Sequence, residues 1–246
     1  TTESLRYQPG LLAARLAFEP PERISASRGF CPADPEALPH GFAAGFWVDM
    51  IVVDVPRYLA ELLGEAAELG VLIEERRVTA LSELEATVVV NCAGARAGVL
   101  AGDESVQSDW GMHVITTNPL GLEHHFMEIP ALPPRWVSWM PRGDRLLIGG
   151  TSELRSDPAA DPELGEALFA QAVAANPALA SAEIVGFNAG LRGRREAVRV
   201  ELETRAEVTM IHNYGHGGLG LTLSWGCADE VLRLLKTPRV EERAHE

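Results

Sequence analysis

The chain has 246 residues, of which 46% are hydrophobic and 23% are charged. This composition excludes a chain that is disordered overall, and the length suits one large domain or two modest ones. Lys and Arg total 21 against 35 Asp and Glu, which gives a net charge of -14. Because nucleic acid and anionic membranes both require a cationic protein face, this charge argues against either as the main partner.

The cysteine content and the hydropathy predict a cytoplasmic protein without disulfides or a cysteine-bound zinc. Cys31, Cys92 and Cys227 are odd in number and lack the spacing of metal ligands. No apolar run approaches the roughly 18 residues of a transmembrane helix, and the first residues do not resemble a signal peptide. The sequence starts at Thr1 instead of Met, which suggests that an upstream segment was removed.

In chain order, the first half predicts irregular structure over 1–45 and then a strand–helix–strand arrangement, at least a partial βαβ unit. The predicted elements are a short helix near Leu11–Leu16, a strand over Phe46–Val55, a helix over about Pro56–Leu69, and strands over Val71–Val78 and Ala86–Asn91. Asp54 and Pro56 favour the start of the long helix, and Gly70 favours its end. Its apolar stripe is expected to be buried: Leu59, Leu62, Leu63 and Ala66. The run Ala86–Asn91 is predicted to be buried on both faces, as in a parallel sheet.

The second half predicts a group of short strands, then a helix, a strand and a helix. The strand candidates between His113 and Gly150 are separated by turns such as Pro141–Asp144, which is typical of an antiparallel sheet. The later elements are a helix over Pro162–Ala174 that begins at Asp161, a strand over Val208–Asn213 and a helix over Leu221–Leu235. The sequence therefore predicts an α/β (mixed α+β) fold with a mixed, largely antiparallel sheet.

The densest chemical signal is NYGHGGLGLT, Asn213 to Thr222, with four glycines in six positions between a strand and a helix. Glycine lets the backbone approach a ligand closely, and a helix N-terminus directs free N–H groups at the loop. We therefore expect a site for an anion, or for a group that gains negative charge. Gly215, Gly217 and Gly220 match G-x-G-x-x-G, but a dinucleotide fingerprint also needs a following strand and an acidic residue about 20 positions on. The sequence is almost finished after the predicted helix, so the match is not interpreted as a dinucleotide fingerprint.

Two other features of the sequence involve residue types that can bind a metal or a carboxylate. His212 and His216 have i, i+4 spacing, but the glycines oppose a helix and Asn213 replaces the Glu of a zinc-protease motif, so no metal is predicted. Arg192 lies between glycines, just before the strand-like run AVRVELE. Its planar guanidinium suits a carboxylate, but from the residues alone an ordinary surface arginine, one of several in RGRRE, is the preferred interpretation.

The segment HNYGHGGLGLTLSWGCADEV, His212 to Val231, resembles the C-terminal signature of the D-amino-acid oxidase family of FAD enzymes. The resemblance extends back through AGLRGRREAVRVELE, LLIGGT, VVVNCAGARAGVL and PRYLAELLGEAAELGVLIEERRV, and begins near RGFCPADPEALPHGFAAGFWVD. It covers roughly Arg28 to Leu235. It implies FAD as cofactor and oxidative deamination of a D-amino acid by oxygen, which yields a 2-oxo acid, ammonia and hydrogen peroxide.

The resemblance also implies roles for individual residues. Arg192 matches the arginine that pairs with the substrate carboxylate, and Gly218 matches the glycine whose carbonyl receives the substrate amino group. The residues that match the loop and helix start around the flavin ring are Gly217, Gly218, Leu219, Gly220, Leu221 and Thr222. The residues that match other positions lining FAD are Val78, Cys92, Ala93 and Gly94.

Two departures from the family pattern leave alternatives open. The family's N-terminal βαβ unit with its G-x-G-x-x-G has no counterpart, so the FAD fingerprint is missing from this chain or supplied by another. The active-site tyrosines also have no counterpart, and Ser138 stands where a substrate-facing Tyr is expected. The alternatives are a non-catalytic remnant or subunit, and a D-aspartate or glycine oxidase. Of these substrates, Arg194 and Arg195 favour the acidic one.

The resemblance further implies a domain organisation and partners. The expected segments are 1–85, an N-terminal irregular region and the start of the substrate domain with one βαβ-like segment; 86–110, a strand and turn of the FAD domain; 111–205, the substrate domain; and 206–246, the C-terminal strand, Gly-rich loop and helix of the FAD domain. The expected partners are a small-molecule D-amino acid and oxygen. A homodimer, or a second chain that supplies the N-terminal FAD-binding unit, is also expected.

Overall fold

The computed structural model describes residues 4–205 and 208–236, which adopt a mixed α/β fold. Its strands are β1 Leu5–Ala14, β2 Cys31–Pro32, β3 Ala44–Val53, β4 Val88–Asn91, β5 Gln107–Thr117, β6 His125–Glu128, β7 Arg135–Arg142, β8 Arg145–Thr151, β9 Glu153–Leu154, β10 Ile184–Arg205 and β11 Val208–His216. Its helices are α1 Glu22–Ser25, α2 Val55–Glu68, α3 Ala97–Ala101, α4 Pro162–Ala175 and α5 Gly220–Leu235. Short 3₁₀ turns precede α3 and α5, over Gly94–Arg96 and Gly217–Leu219. No helix in the described ranges combines the length and the hydropathy needed to cross a bilayer.

The chain divides into two compact units. The first consists of Thr1–Glu75, Gly111–Glu153 and Ala159–Gly190, and the second of Arg76–Trp110, Leu154–Pro158 and Leu191–Glu246. β5 and β10 therefore each contribute residues to both units.

The first unit contains a mixed, mainly antiparallel sheet in the order β2-β3-β1-β6-β7-β8-β5. β1 pairs antiparallel with β3 along its whole length and parallel with β6, whereas β6, β7, β8 and β5 pair antiparallel in succession. The antiparallel arrangement predicted between His113 and Gly150 is thus confirmed. In the core, the ring of Phe126 stacks on that of Trp139 with centroids 4.0 Å apart. Burial of each such side chain stabilises the fold by about 1.5–3 kcal/mol.

Helix α4 packs against β7 and β8 in the same unit. The side chain of Asp161 accepts a hydrogen bond from the Leu164 N–H, which caps the helix as predicted. Leu168 is fully buried on its inner face.

The second unit contains the strand order β10-β11-β4. β10 and β11 pair antiparallel with an irregularity between Arg194 and Arg199, and β11 pairs parallel with β4, so that Thr209 faces Val88 and His212 faces Asn91. α3 follows β4 and α5 follows β11. The carboxyl ends of two adjacent parallel strands, each followed by a short turn and a helix, therefore lie at one edge of this unit.

The N-terminal prediction was wrong. Instead of irregular structure with a helix near Leu11–Leu16, residues Leu5–Ala14 form β1. This strand is hydrogen-bonded on both sides, to β3 and to β6. Pairing between segments distant in sequence outweighs the local helical pattern here, because a ladder on each side satisfies the backbone groups of β1.

The strand–helix–strand interpretation was also wrong. Residues 71–78 form no strand, and β3 pairs with β1 and β2 instead of with β4. The helix exists as α2, but none of its residues is buried; Leu59 is 44% exposed and Leu63 is 52% exposed. The amphipathic pattern indicated the helix correctly but not its packing, because periodicity does not specify a neighbour.

Two features of the strands near the candidate site differ from prediction. β4 was expected to be buried on both faces, but it is buried on one face only, with Val89 at 8% exposed and Val88 and Val90 each at 40%. β11 continues to His216, three residues past its predicted end, so the first part of the glycine-rich segment is strand. The extension follows from pairing with β10, where Asn213 and Tyr214 are in register with Val200 and Arg199.

Candidate active site

The site is formed where β4 and β11 end side by side. The turn Cys92-Ala93-Gly94 follows β4, and the segment from Gly217 to Thr222 follows β11. Ligands of α/β proteins bind preferentially in the crevice at the carboxyl ends of parallel strands. The structure therefore brings together two of the segments that the sequence associates with the flavin, although Gly94 and Gly217 are 123 positions apart in the chain.

The glycine-rich segment presents an open backbone edge. Gly217 has φ of +57°, a conformation that favours glycine. A Cβ added at Gly217, Gly218 or Gly220 would lie 3.7–3.9 Å from a side-chain atom of the described residues, which is ordinary contact, so no close clash closes this edge. Leu219 is 59% exposed beside it.

Helix α5 starts at this edge without a side-chain cap. Asp54 caps α2 and Asp161 caps α4, but no side chain of the described residues accepts a hydrogen bond from the first turn of α5. The first N–H groups of a helix have no partner within the helix and are satisfied by a cap, by water, by a ligand or by 3₁₀-type hydrogen bonds, such as those of the turn Gly217–Leu219 that precedes α5. The macrodipole of this 16-residue helix places partial positive charge at its N-terminus, where no side chain caps it, and so favours a negative charge next to Gly220, Leu221 and Thr222.

The turn after β4 approaches β10 very closely. A side chain at Gly193 would lie 2.6 Å from the Gly94 carbonyl oxygen, so the two backbones meet in a way that only glycine permits. Asn91, at the end of β4, holds the turn by donating to the Ala97 carbonyl and by accepting from the Ala93 N–H. Gly94 itself has φ of +57° and open space on its side-chain face.

Side chains of β11 and α5 connect these two segments. The Asn213 amide nitrogen lies 3.6 Å from Cys92 Sγ, and the buried Asn213 Oδ1 has no hydrogen-bond partner in the described residues. His216 Nε2 lies 3.3 Å from Cys227 Sγ, which ties the start of the loop to the middle of α5. Burial raises the pKa of the Cys92 thiol and lowers the pKa of His216, which disfavours the charged form of each side chain.

Arg192 lies inside β10 and not, as predicted, ahead of the strand. A side chain on Gly218 would lie 3.7 Å from Arg192 Cδ, so the arginine stem passes alongside the glycine-rich edge. Arg192 Nε lies 3.1 Å from Asp109 Oδ2, and Nη2 donates to Asp109 Oδ1 at 3.3 Å and to the Trp110 carbonyl at 3.2 Å. Sequence analysis missed Asp109, because an acidic residue at the start of an apolar strand carries no signal of its own.

Arg194 and Arg195, which follow Arg192 in β10, have different environments. Arg195 Nε lies 3.1 Å from Asp103 Oδ2 and donates to the Ser105 hydroxyl at 2.8 Å. Tyr214, which is fully buried, donates its hydroxyl to the same carboxylate at 2.9 Å and accepts from Arg199 at 2.6 Å. Hydrogen bonds from Ser105 and Tyr214, together with Arg195, lower the pKa of Asp103 to about 2. Arg195 is thus engaged in a structural network.

Arg194 is exposed and faces a different environment. Among residues 4–205 and 208–236, its side chain has no hydrogen bond or ion pair. It lies next to the glycine-rich edge, since a side chain on Gly217 would be 3.9 Å from Arg194 Cβ. It borders a cleft of about 800 Å³ whose lining residues are Ser105, Gln107, Arg194, Arg195, Glu196 and Ala197.

The other predicted residues lie apart from these contacts. Val78 belongs to an irregular segment, and none of the contacts above includes it. Ser138 is buried in β7 and donates its hydroxyl to the Gly149 carbonyl of β8. His212 is fully buried, with Nε2 2.9 Å from Glu203 Oε2, and the described residues contain no group of three or more His, Cys, Asp or Glu that would hold a metal ion.

Residues 3–234 match the family model described as FAD dependent oxidoreductase. The chain belongs to this family. Its sequence is 39% identical to D-amino-acid oxidase of Rubrobacter xylanophilus over 213 residues, which is 85% of this chain and 65% of the relative. It is 37% identical to D-amino-acid oxidase of Streptomyces coelicolor over 194 residues, 77% of this chain and 60% of the relative.

The chain is also similar to a relative with a different name and to a solved structure. D-aspartate oxidase 1 of Caenorhabditis elegans is 31% identical over 191 residues, 74% of this chain and 56% of that protein. The glycine oxidase of Geobacillus kaustophilus superposes with a TM-score of 0.77 at 20% identity, over 96% of this chain and 73% of that one, which shows a shared fold. The chain thus spans about three fifths of the length of these curated relatives.

Proposed function

We propose that this chain is part of a D-amino-acid oxidase that oxidatively deaminates a D-amino acid with FAD and oxygen. The observation that carries this proposal is the convergence of the Cys92–Gly94 turn, the glycine-rich edge from Gly217 and Arg192 in one unit. The relatives named D-amino-acid oxidase support the substrate class. In this proposal, segments 86–110 and 206–246 belong to the FAD domain, and 1–85 and 111–205 include the substrate domain.

The residues present fit a flavin. The uncapped N-terminus of α5 and the open glycine edge form a cradle for a flat ring that gains negative charge on reduction. When bound, FAD would supply the two-electron acceptor that oxidises the amine. We assign the ring to Gly217, Gly218, Leu219, Gly220, Leu221 and Thr222, and other parts of FAD to Val78, Cys92, Ala93 and Gly94.

The chain's own residues then position the substrate. The Gly218 carbonyl accepts a hydrogen bond from the substrate amine, and Arg192, whose stem lies against Gly218, binds the carboxylate. An amino acid held at both ends presents its Cα in a fixed orientation, and orientation supplies most of the rate enhancement in a reaction without strong acid or base. None of the three tyrosines is placed in this role: Tyr214 is committed to the Asp103 network.

The first test is the visible absorbance spectrum of the purified chain after incubation with FAD and desalting. The proposal expects a retained flavin spectrum that D-alanine bleaches in the absence of oxygen. A colourless protein would favour the alternative of a non-catalytic remnant, or a chain that needs a separate dinucleotide-binding unit. Addition of a polypeptide with the strand–turn–helix G-x-G-x-x-G unit distinguishes these two outcomes, because only the second regains the flavin.

The role of Arg192 is tested by substitution. Arg192→Ala removes a charge-assisted pair worth about 1.5–3 kcal/mol and should raise KM about tenfold or more. Arg192→Lys keeps a positive charge beside Asp109 but lacks the planar guanidinium. A raised KM in this variant therefore reflects lost recognition of the carboxylate, and not the effect of leaving Asp109 buried without a cation. An unchanged KM in both variants would refute the carboxylate role.

A second candidate is an acidic D-amino acid such as D-aspartate, which the relative named D-aspartate oxidase supports. Arg194 is the cation that favours it, because Arg195 is held by Asp103 whereas Arg194 points to an open cleft. Arg194→Ala should then lower D-aspartate turnover and leave D-alanine turnover unchanged. Equal effects on both substrates would exclude this candidate.

A partner for the second unit is also proposed. α5 exposes Trp225 at 63% and Leu232 at 53%, and β4 exposes Val88 and Val90 at 40% each. Apolar surface of this kind marks a protein interface. We assign it to a dinucleotide-binding unit supplied by another polypeptide segment, with a homodimer of this chain as the alternative; the mass in solution with and without that unit distinguishes them.

A further inference from the structure

Basic side chains from three strands meet on one face of the sheet in the first unit. Arg6 and Gln8 lie on the same face of β1, because side chains two positions apart in a strand share a face. His125 of β6 is in register with Gly10 and so lies on this face too, with its Nε2 3.0 Å from Gln8 Oε1. Arg142 Nη1, at the end of β7, lies 3.4 Å from the same histidine nitrogen. Arg6, His125 and Arg142 are called the basic cluster below.

The two arginines of the basic cluster act on each other and on the histidine. Burial lowers the pKa of Arg142, and the positive charge of Arg6 lowers it further. Burial, followed by the charges of Arg142 and Arg6, lowers the pKa of His125 to about 4, so the imidazole is neutral at pH 7. Both guanidinium groups stay charged, because arginine does not lose its proton in proteins. The cluster therefore holds two positive charges around a neutral histidine.

Neither arginine of the basic cluster has an acidic partner within residues 4–205 and 208–236. Asp54 raises the pKa of Arg142 through its charge, but the two side chains form no ion pair. Five other arginines of this unit each pair with a carboxylate: Arg15 with Glu128, Arg28 with Asp49, Arg57 with Glu61, Arg135 with Glu153 and Arg145 with Asp144. A partly buried cation without a counter-ion is unfavourable, so an anion that binds here gains stabilisation that the chain itself does not supply.

Arg142 keeps hydrogen-bond donors available for such an anion. Its Nη1 donates to the Pro141 carbonyl at 2.8 Å, which orients the guanidinium. Its Nε and Nη2 have no partner among the described residues, and neither is a buried atom, so this edge is open to solvent. The parallel N–H groups of this edge fit two oxygens of one phosphate or carboxylate. The side chain of Arg6 is exposed and makes no hydrogen bond within the described part of the chain.

We propose that the basic cluster binds a phosphate group, either inorganic phosphate or a phosphate monoester, through Arg6 and Arg142. The two positive charges match the nearly two negative charges of phosphate at pH 7 better than the single charge of a carboxylate. All members of the cluster belong to the first unit, whereas the proposed flavin site belongs to the second. This inference goes beyond the proposed function and does not depend on it.

The test is isothermal titration calorimetry of the full chain with inorganic phosphate at constant ionic strength and pH 7. The wild-type chain should bind one phosphate, and acetate about tenfold more weakly. Arg142→Gln and Arg6→Gln should each raise the Kd of phosphate about tenfold or more, because each removes a charge-assisted contact. Arg6→Gln, at an exposed position, serves if Arg142→Gln does not fold. Arg135→Gln is the matched control, since it removes the same charge from the other end of β7, and should change the Kd by less than about twofold.

Thermal unfolding gives a second readout that a purely structural role would not produce. Because the two cations repel each other, Arg6→Gln without phosphate should leave Tm unchanged or raise it, and added phosphate should raise the Tm of the wild type only. Tighter binding of glycerol 2-phosphate than of inorganic phosphate would assign the site to a monoester, and equal or weaker binding would assign it to free phosphate. A wild-type chain that binds no phosphate, an equal response to acetate, or the same weakening in Arg135→Gln would overturn the proposal.

Discussion

Substitution of Gly193 by alanine tests the close approach of β10 to the turn after β4. The new Cβ would lie 2.6 Å from the Gly94 carbonyl oxygen, 2.8 Å from its carbonyl carbon and 2.9 Å from Ala95 Cα. All three are backbone atoms, so relief requires the turn to move by about 0.8 Å to reach ordinary contact. Overpacking of this kind costs about 1–3 kcal/mol of unfolding free energy, which is about 2–4 °C of Tm per kcal/mol in a protein of this length.

Gly190→Ala is the matched control, because Gly190 lies on the same strand with no atom within 4 Å of the added carbon. Without a clash, alanine stabilises by about 0.4–1 kcal/mol through the unfolded state. Thermal unfolding should therefore place Gly193→Ala below wild type and Gly190→Ala level with it or above. Flavin retention should fall in Gly193→Ala alone, since Cys92–Gly94 is displaced. Identical Tm values for the two variants would refute this geometry.

Two further predictions concern charges elsewhere in the chain. The pKa of Asp103 is lowered to about 2, so its stabilising effect is complete above about pH 4 and disappears as the pH falls through 2. Asp103→Asn should thus lower the free energy of unfolding by about 1–2 kcal/mol at pH 7, after allowance for solvent screening. In urea unfolding, this difference from wild type should vanish by pH 2. A difference that stays constant with pH would contradict the assignment. Asp161→Ala should remove the cap on the Leu164 N–H and cost about 1 kcal/mol, whereas Glu166→Ala on the exposed side of α4 should have little effect; equal losses would rule out capping as the cause.

Local patterns in the sequence identified the elements whose structure depends on neighbouring residues. Asp161 and Pro162 specify the start of α4, and the alternating runs between His113 and Gly150 specify an antiparallel group of strands. Such signals are reliable because caps, turns and strand alternation act within a few residues. The glycine-rich segment was recognised in the same way, since glycine at Gly217 is required by a backbone angle that the segment itself adopts.

The sequence alone also determined the family, because the residues from His212 to Val231 form a long and specific pattern, and the match to residues 3–234 confirms it. Which residues meet was decided only by the tertiary structure. β1 is a strand because β3 and β6 lie on either side of it, and the apolar stripe of α2 is exposed although its pattern predicts burial. The pairing of Arg192 with Asp109, 83 residues earlier in the chain, is of the same kind. Contacts between residues far apart in sequence depend on the pairing of whole strands, and no local pattern of side chains records them.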